Sequence, residues 1–195
     1  MKEIIVASNN QKKIKEIKEI LLKYDIKVLS LKDVNIDIDI EENGSTFIEN
    51  AMIKAQAIYD ITLMPVIADD SGLQVEALNN EPGIYSARYA GEQKNDEDNM
   101  NKLLDNLKNV TNRKARFVAA IAFVINDKLK YTVEGYLDGE IIDNKIGDYG
   151  FGYDPIFYIP SLKKTSAQLL PEEKNKISHR AKALEKIELI IKENI

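Results

Sequence analysis

Apolar positions recur along this chain in two rhythms, and their alternation predicts the fold class. Ile4 to Ala7 is an unbroken apolar run of strand length. Directly after it, Ile14, Ile17, Ile20 and Leu21 recur at helical spacing, with Lys12, Lys15 and Lys18 off that face, which predicts an amphipathic helix. Ser8, Asn9 and Asn10 occupy the turn between them, at capping positions. The stretch IDIDI, 36 to 40, alternates strictly and predicts a half-buried strand with Asp37 and Asp39 in water. Thr46 and Glu49 form a capping box, opening a helix that carries Phe47, Ile48, Ala51, Ala55 and Ile58 on one side. Met64 and Pro65 then open a strand, Val66 to Ala68, which the pair Asp69 and Asp70 is expected to end. NNEPG, 79 to 83, is a turn, and the polar loop GEQKNDEDN, 91 to 99, leads into a helix with Met100, Leu103, Leu104 and Leu107. Residues 115 to 125 and 129 to 142 predict a long hairpin whose first arm is buried. From Lys174 onward the pattern is helical, with Leu184, Ile187, Ile190 and Ile191 inward. Strands alternating with helices, without repeats or linkers, predict one α/β domain over residues 1–195, with two lobes around a central cleft.

Composition narrows what such a domain can do. A net charge of −5 and a pI near 5.1 exclude a strongly basic footprint for duplex nucleic acid, so any phosphate site must be local. The absence of cysteine excludes disulfides and zinc–thiolate sites and suits a reducing compartment. The longest apolar run, 117 to 125, is too short to span a bilayer, and MKEIIVAS is no signal peptide. A cytoplasmic protein without a membrane anchor is the expectation.

Four clusters carry chemistry. SNNQKK, 8 to 13, lies at a strand-to-helix turn, where helix N–H groups and the positive dipole end attract anions and Lys13 can add a full charge. The same pattern also fits a helix capped by Asn10 with solvated lysines. VIADDSGL, 66 to 73, places two carboxylates after an apolar run; in extended chain they point to opposite faces and so serve different purposes. One carboxylate there, helped by a second from IDIDIEE, matches how Mg²⁺ is held, through one or two protein oxygens plus substrate phosphates. An Asx turn before Ser71 and Gly72 is the alternative. GDYGFGYDP, 147 to 155, interleaves glycines with aromatic rings, so backbone can approach a ligand closely while a ring offers stacking to a base; a bent strand with core aromatics is the other reading. EEKNKISHR, 172 to 180, brings the only histidine of the chain beside an arginine, whose donors suit a carbonyl or phosphate; a lone histidine with a structural role is the other reading.

In this order the clusters resemble the inosine/xanthosine triphosphate pyrophosphatase family, over nearly the whole chain: SNNQKK, ENGSTFIENAMIKA, VIADDSGLQVEAL, PGIYSARYAG, GFGYDPIF and EEKNKISHRAKAL. The resemblance implies hydrolysis of deaminated purine nucleoside triphosphates (ITP, dITP, XTP) to the monophosphate and pyrophosphate. It also implies an elongated mixed β-sheet flanked by helices, Mg²⁺ as cofactor and a homodimer. It implies a triphosphate-binding turn at Ser8, Asn9, Asn10, Gln11, Lys12 and Lys13 with Lys54, a metal held by Glu41 and Asp70, and Asp70 as the catalytic group with Ser71 in contact with substrate. Neighbouring Glu42 leaves the register of the metal-binding glutamate open. Base recognition is implied for Phe151, Gly152, Tyr153, Asp154, Lys174, His179 and Arg180, with Arg180 a donor suited to a 6-carbonyl. Two departures from many relatives are Asn9, where glycine is usual, and Gln168, where glutamate is usual. The rivals are a Maf-type pyrophosphatase acting on modified pyrimidine triphosphates and a nucleotide-binding regulator without turnover.

Overall fold

A computed structural model describes residues 2–22 and 26–194. Seven strands form one mixed sheet in the order β2-β1-β3-β4-β5-β6-β7: β1 Lys2–Val6, β2 Ile26–Ser30, β3 Val66–Val75, β4 Lys114–Val124, β5 Lys130–Ile141, β6 Phe157–Ile159 and β7 Lys164–Thr165. The helices are α1 Gln11–Leu21, α2 Phe47–Thr62, α3 Asp96–Asn106, α4 Pro171–Ile177 and α5 His179–Asn194. β1 pairs in parallel with β2 and β3, whereas β6 is antiparallel to β5 and β7.

The chain divides into two compact units, neither of them a continuous stretch of sequence. The first comprises residues 1–70, 119–135 and 180–195, the second 71–118 and 136–179. The core of the first joins Ile4, Val6 and Ile67 to Ile14, Ile17 and Leu21 of α1 and to Leu184 and Ile187 of α5. The core of the second gathers Leu73, Val75, Leu103, Phe117, Leu137, Ile156 and Phe157. Burial of such side chains stabilises each unit by roughly 1.5–3 kcal/mol per large residue. Among the described residues no helix is long and apolar enough to cross a membrane.

The helix starts follow the sequence reading. Asn10 caps α1 by accepting from the backbone N–H groups of Lys12 and Lys13, and Thr46 with Glu49 closes the capping box of α2. Three expectations are corrected. β3 does not end at Ala68 but runs on through Asp69, Asp70, Ser71 and Gly72 to Val75, so there is no Asx turn there. The segment 36 to 40 is no strand; it alternates between half-buried isoleucines and exposed aspartates without joining the ladder. The C-terminal helix is two helices, because Ser178 adopts an extended backbone between α4 and α5.

Candidate active site

The first unit contains a constellation of buried charge built on β3. Asp69 is fully enclosed and accepts from Arg180 Nε at 3.0 Å, while Lys13 Nζ lies 2.7 Å from its other oxygen. The Arg180 guanidinium also bonds Glu16, one turn beyond Lys13 on α1. Burial alone would raise the Asp69 carboxyl, but Arg180 and then Lys13 outweigh it and hold the group well below the usual carboxylate range. Arg180 is correspondingly held above its ordinary value, because Asp69 and Glu16 outweigh the cost of burying it.

The neighbouring carboxylate has a different set of partners, as extended backbone requires. Asp70 Oδ1 lies 3.6 Å from Lys54 Nζ, and the same ammonium is 3.2 Å from Glu42 and donates to the Asp69 carbonyl at 2.9 Å. Burial pushes the Asp70 carboxyl up; Lys54 and Lys13 oppose this, and Glu42 and Asp69 reinforce it. Burial is thus the largest influence on the Asp70 carboxyl, ahead of its charged neighbours.

The donor set fits a hard divalent cation. Two carboxylates, Asp70 and Glu42, already converge on one positive centre, the Lys54 ammonium. Among the described residues no group of three or more His, Asp or Glu side chains is arranged to hold a metal alone. A hard cation takes oxygen ligands, and two carboxylates leave the rest of its shell to other oxygens. Of the two candidate glutamates it is Glu42 that the structure sets against Lys54, whereas Glu41 is exposed.

The rest of the predicted phosphate turn is arranged around its cap. Ser8 Oγ accepts from Asn10 N–H at 3.1 Å, and Asn9 Nδ2 reaches the Ile38 carbonyl at 3.4 Å. Because Asn10 occupies the amides of Lys12 and Lys13, the turn offers fewer helix N–H groups than its sequence suggested, and Lys13 supplies its principal charge. Gln11 and Lys12 are exposed.

The second unit gathers most of the predicted base-recognition residues. Phe151 N–H donates to Asp154 Oδ2 at 2.9 Å, Lys174 Nζ lies 2.7 Å from the same oxygen, and that ammonium is 4.9 Å from the centre of the Phe151 ring. Asp154 and Lys174 are buried, and Phe151 is half-buried. Gly150 has φ +82°, and a Cβ there would collide with the Asp154 carboxylate, so this turn requires glycine. Gly152 has φ +62° and donates its N–H to Asp96 at 2.9 Å. Tyr153 is a core residue: its hydroxyl donates to the Ser86 carbonyl at 2.8 Å, and burial raises its phenol. His179 stacks on Phe117 with ring centres 5.0 Å apart. Ser71 continues β3, half-buried. The Arg180 guanidinium is engaged by Asp69 and Glu16 in the first unit.

Sequence reasoning left three participants unassigned. Glu16 had a signal, its helical spacing of three from Lys13. Asp69 was visible only as half of a pair, because its partner Arg180 lies 111 positions away. Asp96 had no signal beyond a polar loop. Gln168, one of the two departures, caps its own turn by accepting from Thr165 N–H at 2.9 Å.

The family model described as the Ham1 family matches residues 4–189. The chain is 52% identical over 188 residues to a dITP/XTP pyrophosphatase of Staphylococcus aureus (strain MRSA252), covering 96% of this chain and 95% of the relative. It is 49% identical to a dITP/XTP pyrophosphatase of Bacillus subtilis (strain 168), covering 98% of each. Among solved structures, the Staphylococcus aureus Ham1 protein superposes with a TM-score of 0.90 at 50% identity over the full length of both chains. A HAM1 protein from Coxiella burnetii gives 0.90 at 43% identity, covering 99% of this chain and all of the other. With the family model matching residues 4–189 and relatives about half identical over nearly the whole chain, the chain belongs to the Ham1 family.

Proposed function

We propose that this protein hydrolyses deaminated purine nucleoside triphosphates (ITP, dITP and XTP) to the nucleoside monophosphate and pyrophosphate. The observation that carries the reading is Asp70, a buried carboxylate on a central strand with Lys54, Glu42 and Lys13 as its charged neighbours. The dITP/XTP pyrophosphatase relatives support the substrate class.

In the proposed mechanism Lys13 and Lys54 offset the charge of the triphosphate. Asp70, whose ionised form is disfavoured by burial, accepts a proton from a water as that water's oxygen bonds to the α-phosphorus. The bond from the α-phosphorus to the bridging oxygen breaks, pyrophosphate leaves with the electron pair, and the proton returns to solvent. Mg²⁺, held by Asp70 and by a carboxylate of the Glu41–Glu42 pair, would polarise phosphate oxygens and neutralise developing charge. Glu42 is the member of that pair at the observed short distance from Lys54.

Base choice is assigned to the second unit. The Phe151 ring offers a stacking face, and the Lys174 ammonium beside it offers a donor to a 6-carbonyl. A site built around one hydrogen bond to a carbonyl rejects a base bearing an amine there by as much as about 10⁴–10⁵. The engagement of Arg180 with Asp69 and Glu16 favours Lys174 over Arg180 for that role. A cytoplasmic homodimer completes the proposal, supported by the family resemblance and the lack of cysteine, and is tested by light scattering and cell fractionation. The activity is tested by kcat/KM for ITP, dITP, XTP, GTP and ATP with and without Mg²⁺; equal values for ITP and ATP would overturn the substrate assignment.

A further inference from the structure

Three glycines of the 147–155 segment have left-handed or otherwise positive φ: +93° at Gly147, +82° at Gly150 and +62° at Gly152. Glycine permits such a path but does not enforce it, since it loses more conformational freedom on ordering than any other residue. The shape of this loop must therefore be imposed by what its amides bond. Tyr149 N–H donates to the Ala167 carbonyl at 3.0 Å, and Phe151 N–H donates to Asp154 within the loop. Gly152 N–H is different: it donates to Asp96 Oδ2, 56 positions earlier, at the first residue of α3. This bond ties the backbone between Phe151 and Tyr153 to another element of the same unit.

Asp96 is not needed there to cap its helix. The cap is Asn95, whose side chain accepts from Asp98 N–H at 3.0 Å. The favourable interaction of acidic residues with the helix dipole is shared with Glu97 and Asp98 in the same turn. A second connection runs in parallel, because Lys145, just before the loop, pairs with Glu97 and bonds Asn101 Oδ1 at 2.7 Å. The start of α3 thus holds this segment at two points, Lys145 ahead of the first glycine and Gly152 itself, the residue next to Phe151.

We infer that Asp96 is a positioning residue for base recognition, fixing the Gly152 amide and through it the plane of Phe151 beside Lys174. This rests on the base-recognition role proposed above for Phe151 and Lys174. Its inferred action is through the loop, by way of the Gly152 amide. A hydrogen bond from an amide to a carboxylate is among the stronger kinds, so its loss should be felt at the base end alone.

The test compares Asp96→Ala, Asp96→Asn and Asp98→Ala, the last removing an acidic residue of the same helical turn without a bond to the loop. For Asp96→Ala the expected result is a rise in KM for dITP of about tenfold or more, kcat within about threefold, and unchanged inhibition by inorganic tripolyphosphate, which has no base. Asp96→Asn, which keeps an acceptor oxygen, should recover most of the KM, and Asp98→Ala should behave as wild type. Amide hydrogen exchange at Gly152, measured without substrate, should accelerate in Asp96→Ala and not in Asp98→Ala. If Asp96→Ala fails to fold, Asp96→Asn is compared with Asp98→Asn, and equal KM values would overturn the inference. Equal effects of Asp96→Ala and Asp98→Ala, or a fall in kcat without a rise in KM, would also overturn it. If wild type hydrolysed no nucleotide, the substrate reading would fall, while the exchange comparison would still decide whether Asp96 holds the loop.

Discussion

The two units of this molecule handle buried charge in opposite ways. In the first, three cations (Lys13, Lys54 and Arg180) face four carboxylates (Glu16, Glu42, Asp69 and Asp70) across two adjacent residues of one strand. In the second, one pair, Asp154 with Lys174, is set among Phe151, Tyr153 and buried aromatic neighbours. A dense mixed-charge cluster suits a charged group that brings a cation, and a donor beside a ring suits a flat, neutral one. The comparison also separates Asp69 from Asp70. The first carboxyl is held low by Arg180 and Lys13 despite its burial, whereas burial raises the second, which suits the proposed roles of Asp69 in architecture and Asp70 in chemistry.

The sharpest way to break this comparison is Asp70→Asn. It should lower kcat by at least about 10²–10⁴ while the protein stays folded, because the amide can neither take a proton nor serve well as an anionic metal ligand. Near wild-type turnover in a folded variant would erase the distinction. Asp69→Asn should show the reverse profile, a loss of stability of about 3–5 kcal/mol from removing a carboxylate that pairs with buried Arg180 and Lys13, read as a urea midpoint. The sign of its pH dependence follows from the depressed carboxyl. That stabilisation is present above the ordinary carboxylate value of 3.8 and is lost as pH falls through the lower folded value. The stability gap between wild type and Asp69→Asn should therefore narrow below that pH, and a gap that widens on acidification would contradict the assignment.

In the second unit, Phe151→Ala should cost about 1–3 kcal/mol of base stacking, appearing as a raised KM for dITP with little change in kcat. A pure kcat effect would place Phe151 elsewhere in the mechanism. Gly150→Ala, which forces strain of about 1–3 kcal/mol and a clash with Asp154, should weaken dITP more than tripolyphosphate. The smallest and most discriminating contrast is Glu41→Gln against Glu42→Gln: the Mg²⁺ concentration needed for half-maximal rate should rise more for Glu42→Gln. The opposite ranking would move the ligand to the exposed neighbour.

Local signals were legible wherever the cause is local. The α1 face of Ile14, Ile17, Ile20 and Leu21, the Asn10 cap and the Thr46–Glu49 box all emerge as read, because spacing and capping chemistry act within one or two turns. The pair Asp69–Asp70 was misread as a strand end because two charges inside a continuous strand need partners to be tolerable. Those partners, Lys13, Lys54 and Arg180, come from α1, α2 and α5. IDIDI failed as a strand for the complementary reason: alternation reports which side is wet, but a strand also needs a neighbour to bond. In the 147–155 loop the glycines were visible as a place of close approach, yet the carboxylate that holds Gly152 is at the start of a helix and left no trace in the local pattern.

The central claim is that the Asp70 site cleaves between the α- and β-phosphorus of a deaminated purine triphosphate. The most direct measurement is product identification by ³¹P NMR after incubating purified protein with dITP and Mg²⁺. The account predicts pyrophosphate and dIMP in equal amounts, with no orthophosphate and no products from Asp70→Asn. Orthophosphate with dIDP, or identical product formation by wild type and Asp70→Asn, would contradict it.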